Sequence, residues 1–135
     1  MRRLFDVIRQ DPVTLPTTAT AREAAETMRK HKVGAILVTT PAQKLEGIFT
    51  SRDAVDRVLA EGRDPARTIL ADVMTPHPHT VSPERIASDA LRLMHDYGCR
   101  HLPVVRNGQV VGIVSRIDFL GAEQEQVEDA DKRRS

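Results

Sequence analysis

Two short stretches of this chain place a hydroxyl and a carboxylate three residues apart behind a glycine. They are Gly47-Ile48-Phe49-Thr50-Ser51-Arg52-Asp53 and Gly112-Ile113-Val114-Ser115-Arg116-Ile117-Asp118. A glycine on a strand admits close approach of a ligand. The hydroxyl can hydrogen-bond a phosphate or a ribose, and the aspartate offers two acceptor oxygens to a cis-diol. A helix starting there would present free amides to an anion. The same residues also read as a plain helix cap with an acidic first turn, and the spacing alone leaves both readings open.

Two other groupings invite chemistry. Cys99, Arg100 and His101 are adjacent; two neighbouring cations could lower a thiol pKa, whereas a small buried cysteine before a strand needs no function. A hydrolase or redox enzyme built on Cys99 and His101 would need a group to orient the histidine, and the sequence offers none upstream. His77-Pro78-His79 does not make a metal centre, because Pro78 enforces extension and no cysteine or carboxylate set accompanies it.

The elements that carry these residues come from a duplication. Shifted by 66 positions, Leu4–Val38 lies over Leu70–Val104 without a gap, and nine of 35 pairs are identical, among them Asp6/Asp72, Pro12/Pro78, Met28/Met94 and Val38/Val104. Self-similarity of this kind outranks any local motif. Each copy predicts a short extended piece (Val13–Leu15; His79–Ser82), then a helix. Thr20-Ala21-Arg22-Glu23 forms a capping box, Ala21, Ala24, Ala25 and Met28 recur at helical spacing as do Ala87, Ala90, Leu91 and Met94, and Gly98 stops the second helix. Strands follow at Ala35–Thr39 with Leu45–Thr50, and at Leu102–Val105 with Val110–Ser115, the latter joined by the Asn107-Gly108 hairpin turn. A last helix begins near Asp53 or Asp118 and in the second copy fades after Leu120. The expected organisation is repeat one over 1–66, repeat two over 67–121, and a charged disordered tail over 122–135.

Composition narrows the function class. The chain has 135 residues, 40% apolar and 29% charged, with 3% aromatics and no tryptophan, so one aliphatic core is expected. A net charge of +1 gives no field for nucleic acid and no polybasic membrane anchor. One cysteine excludes an internal disulfide, and no apolar stretch reaches membrane-spanning length. The expectation is a cytoplasmic, soluble protein.

The ordered set Asp72-Val73-Met74-Thr75-Pro76, His79-Thr80-Val81, His101-Leu102-Pro103-Val104-Val105 and Gly112 to Asp118, echoed in the first copy, resembles the cystathionine β-synthase (CBS) domain. The resemblance runs from Leu4 to about Gly121. It implies an α/β (α+β) fold of tandem βαββα repeats packed pseudo-symmetrically as a CBS pair, of the stand-alone bacterial or archaeal type. It further implies a homodimer, an unidentified protein target, no catalysis, and no obligatory cofactor. The regulatory ligand would be an adenine nucleotide or other adenosyl compound: AMP, ADP, ATP, NAD(H) or S-adenosylmethionine. In the main cleft so implied, Asp118 takes the ribose with Ser115 and Ile113 beside it, Arg100 and His101 take phosphate, and Val13, Val33 and Gly34 surround adenine. The second cleft holds Asp53, Thr50, Ile48, His79 and Cys99 and lacks matching cations. The alternative in another class is a dimerisation or partner-docking module without a ligand.

Overall fold

The computed structural model describes residues 2–8 and 11–134. In chain order the elements are α1 (Leu4–Val7), β1 (Thr14–Leu15), α2 (Ala21–His31), β2 (Ala35–Thr39), β3 (Leu45–Thr50) and α3 (Ser51–Asp53), which continues as a π-helix over Ala54–Leu59. Then come α4 (Leu70–Val73), β4 (Thr75–Pro76), α5 (Ala87–Tyr97), β5 (His101–Arg106), β6 (Gln109–Ser115), a 3-10 turn (Arg116–Asp118) and α6 (Gly121–Arg134). The mixed α+β succession repeats, as the duplication requires.

Two compact units result. The first-repeat unit comprises Pro12–Pro78 with Gly108–Val110; the second-repeat unit comprises Met1–Asp11, His79–Asn107 and Val111–Ser135. Each unit thus takes the short helix that precedes the other repeat's strands: α4 belongs with the first, α1 with the second. The repeat boundaries describe duplication, whereas these units describe packing.

In the first-repeat unit the sheet order is β1-β2-β3-β4. β1 runs parallel to β2, with Thr14 opposite Leu37, and β3 pairs antiparallel with both β2 and β4. α2 opens on Thr20, whose hydroxyl accepts from the Glu23 amide at 3.1 Å, so the backbone half of the expected capping box is formed. Its Ala21, Ala24 and Met28 face a core with Ile36, Val38, Phe49, Val58, Leu70 and Val73. Burying the larger of these side chains, Val, Leu, Ile, Met and Phe, contributes on the order of 1.5–3 kcal/mol each.

The second-repeat unit copies this with one loss. Leu37 donates its amide to Val13 at 3.0 Å; its counterpart is Pro103, which has no amide to give. The expected strand over His79–Ser82 is therefore reduced to a single parallel bridge, Val81 to Val104. α5 ends on Gly98 with φ of 69°, as expected, and Asn107 and Gly108 (φ 53° and 78°) turn β5 into β6 as a hairpin with both central residues left-handed. Ala87, Ala90, Leu91 and Met94 pack with Leu4, Val7, Leu102, Val104 and Val114.

The expectation of a disordered tail over 122–135 is corrected: Gly121–Arg134 is α6. Val127 is 4% exposed within the second-repeat core, and Glu123 accepts from the Leu120 amide at 2.9 Å and from Arg2 at 2.6 Å. The segment has almost no apolar periodicity, so the sequence offered no sign that one valine and one carboxylate dock it.

Candidate functional site

Each hydroxyl–carboxylate pair sits where a strand breaks into a helical turn. At the end of β3, Asp53 Oδ2 accepts from the Thr50 amide at 2.9 Å and the Thr50 hydroxyl at 3.1 Å, while that hydroxyl accepts from the Asp53 amide at 3.2 Å. At the end of β6, Asp118 Oδ2 accepts from the Ser115 amide at 2.9 Å and the Ser115 hydroxyl at 3.3 Å. The turns are anchored alike: the Ser51 amide donates to Gly34 at 3.0 Å and the Arg116 amide to Arg100 at 3.2 Å. The capping reading of these motifs is therefore correct. It uses one oxygen of each carboxylate and holds the other in a fixed direction.

The two copies part at that other oxygen. Asp53 Oδ1 lies 3.6 Å from Arg57 Nε. Four residues beyond Asp118 stands Ala122, and Asp118 Oδ1 takes no hydrogen bond from the described residues. The pair Asp53 and Arg57 has the (i, i+4) spacing of a helical ion pair, the one sign by which the sequence could have revealed it.

The glycines behave differently from the expectation of ligand approach. A Cβ on Gly47 would stand 2.5 Å from Met74 Sδ and 2.9 Å from the Thr75 carbonyl oxygen; one on Gly112 would stand 2.8 Å from a Ile8 methyl. Ile8 and Met74 are counterparts in the duplication. Both glycines make room for the segment by which the chain leaves each unit, and that segment occupies the space.

The second-repeat unit carries Asp118, Ser115 and Ile113, all half-buried, with half-buried His101 and exposed Arg100 at the start of β5. Burial pushes the His101 imidazole below its usual range; the Asp118 carboxylate opposes that shift and Arg100 adds to it. His101 thus lies within the fields of both charged groups. The same unit holds His79, exposed and stacked on Tyr97 with ring centroids 3.7 Å apart, a contact that sequence reasoning missed. Cys99 is half-buried against the core, and that burial pushes its thiol up despite Arg116 nearby. The activated-thiolate possibility is thereby corrected, since desolvation disfavours the charge.

The first-repeat unit carries Asp53, Thr50 and buried Ile48, together with half-buried Val13, Val33 and Gly34. Val13 and Val33 pack against the core of that unit. Among the described residues no cluster of three metal-ligating side chains occurs, and no described helix is long and apolar enough to cross a membrane.

The same strand-to-helix hydroxyl–carboxylate turn thus occurs twice, once in each unit. The CBS domain model matches residues 4–60 and 70–125, and the chain belongs to the CBS domain family. It is 37% identical over 119 residues to Uncharacterized protein MK0525 of Methanopyrus kandleri, a match that covers 87% of this chain and 61% of that protein. The fold of the CBS domain protein PAE2072 from Pyrobaculum aerophilum, solved in complex with AMP, superposes with a TM-score of 0.85 at 28% identity, covering 95% of this chain and 99% of that one. The CBS domain pair of protein MJ0100, in complex with 5′-methylthioadenosine and S-adenosylmethionine, gives a TM-score of 0.80 at 26% identity, covering 87% and 95%.

Proposed function

We propose that this chain is a non-catalytic sensor of an adenosyl compound, with Asp118 as the ribose acceptor. The observation that carries the reading is the Asp118 carboxylate: fixed through Oδ2 by Ser115, uncommitted among the described residues at Oδ1, with His101 in its field. A fixed acceptor costs little to order when a diol arrives. AMP, 5′-methylthioadenosine and S-adenosylmethionine, the ligands of the two similar structures, share the adenosyl group and differ at the 5′ position. Recognition of the shared part suits Asp118, and Arg100 with His101 would respond to the variable part. Ser115 and Ile113 would flank the ribose. The Asp53 group, with Thr50 and Ile48, would form a secondary site.

The exposed apolar side chains Val55, Leu59, Ile117 and Leu120 suit a second copy of the chain. The same exposure favours the second reading, a docking module with no ligand. Thermal melting with AMP, ATP, NADH and S-adenosylmethionine separates the two. A rise with any of them supports the sensor; no rise with all four, in a protein that still dimerises, supports the docking module.

A further inference from the structure

Arg57 reaches in two directions at once. Its Nε faces Asp53 Oδ1 at 3.6 Å, and its NH1 donates to the carbonyl oxygens of Met74 at 3.1 Å and Val73 at 3.4 Å. Those carbonyls close α4, where a cation is favoured. The chain beyond them is tightly placed: Met74 fills the space over Gly47, Thr75 and Pro76 pair with β3 as β4, and the His77 amide donates to Glu46 at 3.2 Å. One guanidinium therefore ties the carboxylate at the end of β3 to the segment that leaves the first-repeat unit. Ala122 stands at the corresponding place after Asp118, so no such tie occurs in the second copy among the described residues.

We propose that Arg57 gates the Asp53 site and couples its occupancy to the Val73–His77 segment. This rests on the sensor reading above and adds a regulatory step to it. A ribose diol needs the outer oxygen of Asp53, which Arg57 faces. Binding there displaces the guanidinium from the carboxylate and, because its Nε and NH1 belong to one rigid plane, from the carbonyls of Val73 and Met74 as well. Occupancy of the Asp53 site thereby loosens β4, whereas occupancy at Asp118 leaves it alone. The two sites of one chain differ in affinity and in consequence.

The test uses the full chain carrying Asp118→Ala, adenosine as the probe, calorimetry for affinity and hydrogen exchange for the peptide over 70–77. Adenosine is expected to speed exchange at 74–77. Arg57→Gln is expected to show that faster exchange without adenosine and to bind adenosine about two- to fivefold more tightly, the range a half-exposed ion pair is worth. Arg57→Lys, which cannot span both partners, is expected to move both readouts the same way by less, and serves if Arg57→Gln fails to fold. Adenosine binding that leaves exchange unchanged, or that weakens in the Arg57 variants, overturns the gate and leaves the sensor standing. An unmutated protein that binds neither adenosine, AMP nor S-adenosylmethionine overturns both.

Discussion

At the scale of the residue, equivalent side chains of the two repeats do unequal work. Asp53 and Asp118 have the same backbone partners, yet Arg57 faces only the first of them. Mass action at a hundredfold over the dissociation constant stabilises a ligand-binding protein by about 2.7 kcal/mol, which is several degrees of melting temperature for a domain of this size. Asp118→Ala is expected to abolish most of the AMP-induced shift and Asp53→Ala a smaller part of it; equal losses would refute the assignment of the principal site. Ligand-induced shifts are the quantity to compare, because each aspartate also caps a turn worth up to about 1 kcal/mol. The glycines differ as well. Gly47→Ala drives a methyl toward the Thr75 backbone carbonyl, whereas Gly112→Ala meets side-chain atoms alone, the Ile8 Cγ2 methyl first. Gly47→Ala is expected to cost about 1–3 kcal/mol and Gly112→Ala somewhat less, as read by urea unfolding.

At the scale of the element, α6 turns a polar segment into part of the second-repeat core. Glu123 joins its first turn to Arg2, and Val127 reaches the cluster around Leu4 and Met94. Truncation after Leu120 is expected to destabilise the protein by roughly 2–3 kcal/mol, from one buried valine and one partly buried ion pair; Val127→Ala should account for about 1–2 kcal/mol of it. A truncated chain that melts with the full-length protein would show α6 to be idle. The Glu123 carboxyl adds a pH dependence. Burial opposes its ionisation, but the Arg2 hydrogen bond, the Leu120 amide and the Arg2 charge outweigh that and hold its pKa below the usual carboxylate value. The folded state thus favours the carboxylate. Its contribution is complete above about pH 4.3, the unfolded value, and is lost as pH falls through the lower folded value. Glu123→Gln should flatten the acid side of the stability profile, below about pH 5.

At the scale of the whole molecule, what matters is what the chain leaves uncovered. Val55 and Leu59 are 54% and 63% exposed, and Ile117 and Leu120 are 89% and 50% exposed. In a chain with so few aromatics, these are among its largest apolar side chains in contact with water. Light scattering is expected to give the mass of a dimer at tens of micromolar protein, and Leu59→Glu with Ile117→Glu is expected to return it to a monomer. A monomeric unmutated protein at that concentration would remove the dimer from the functional proposal.

The sequence by itself determined the repeat, the strands Ala35–Thr39 and Leu45–Thr50, the Asn107-Gly108 turn and the Gly98 stop, because periodicity, turn chemistry and left-handed backbone are local properties. It also placed the hydroxyl–carboxylate turns, since a three-residue spacing at a helix start is local too. Only tertiary structure decided that Arg57 reaches the carbonyls that close α4, that Met74 and Ile8 occupy the space over the glycines, and that a nearly apolar-free segment docks as α6. Those outcomes depend on partners distant in sequence: Arg57 with Val73 and Met74, Arg2 with Glu123, Ile8 with Gly112. A single contact of that kind leaves no periodic trace in the chain, and its energy appears only when folding brings the two partners together.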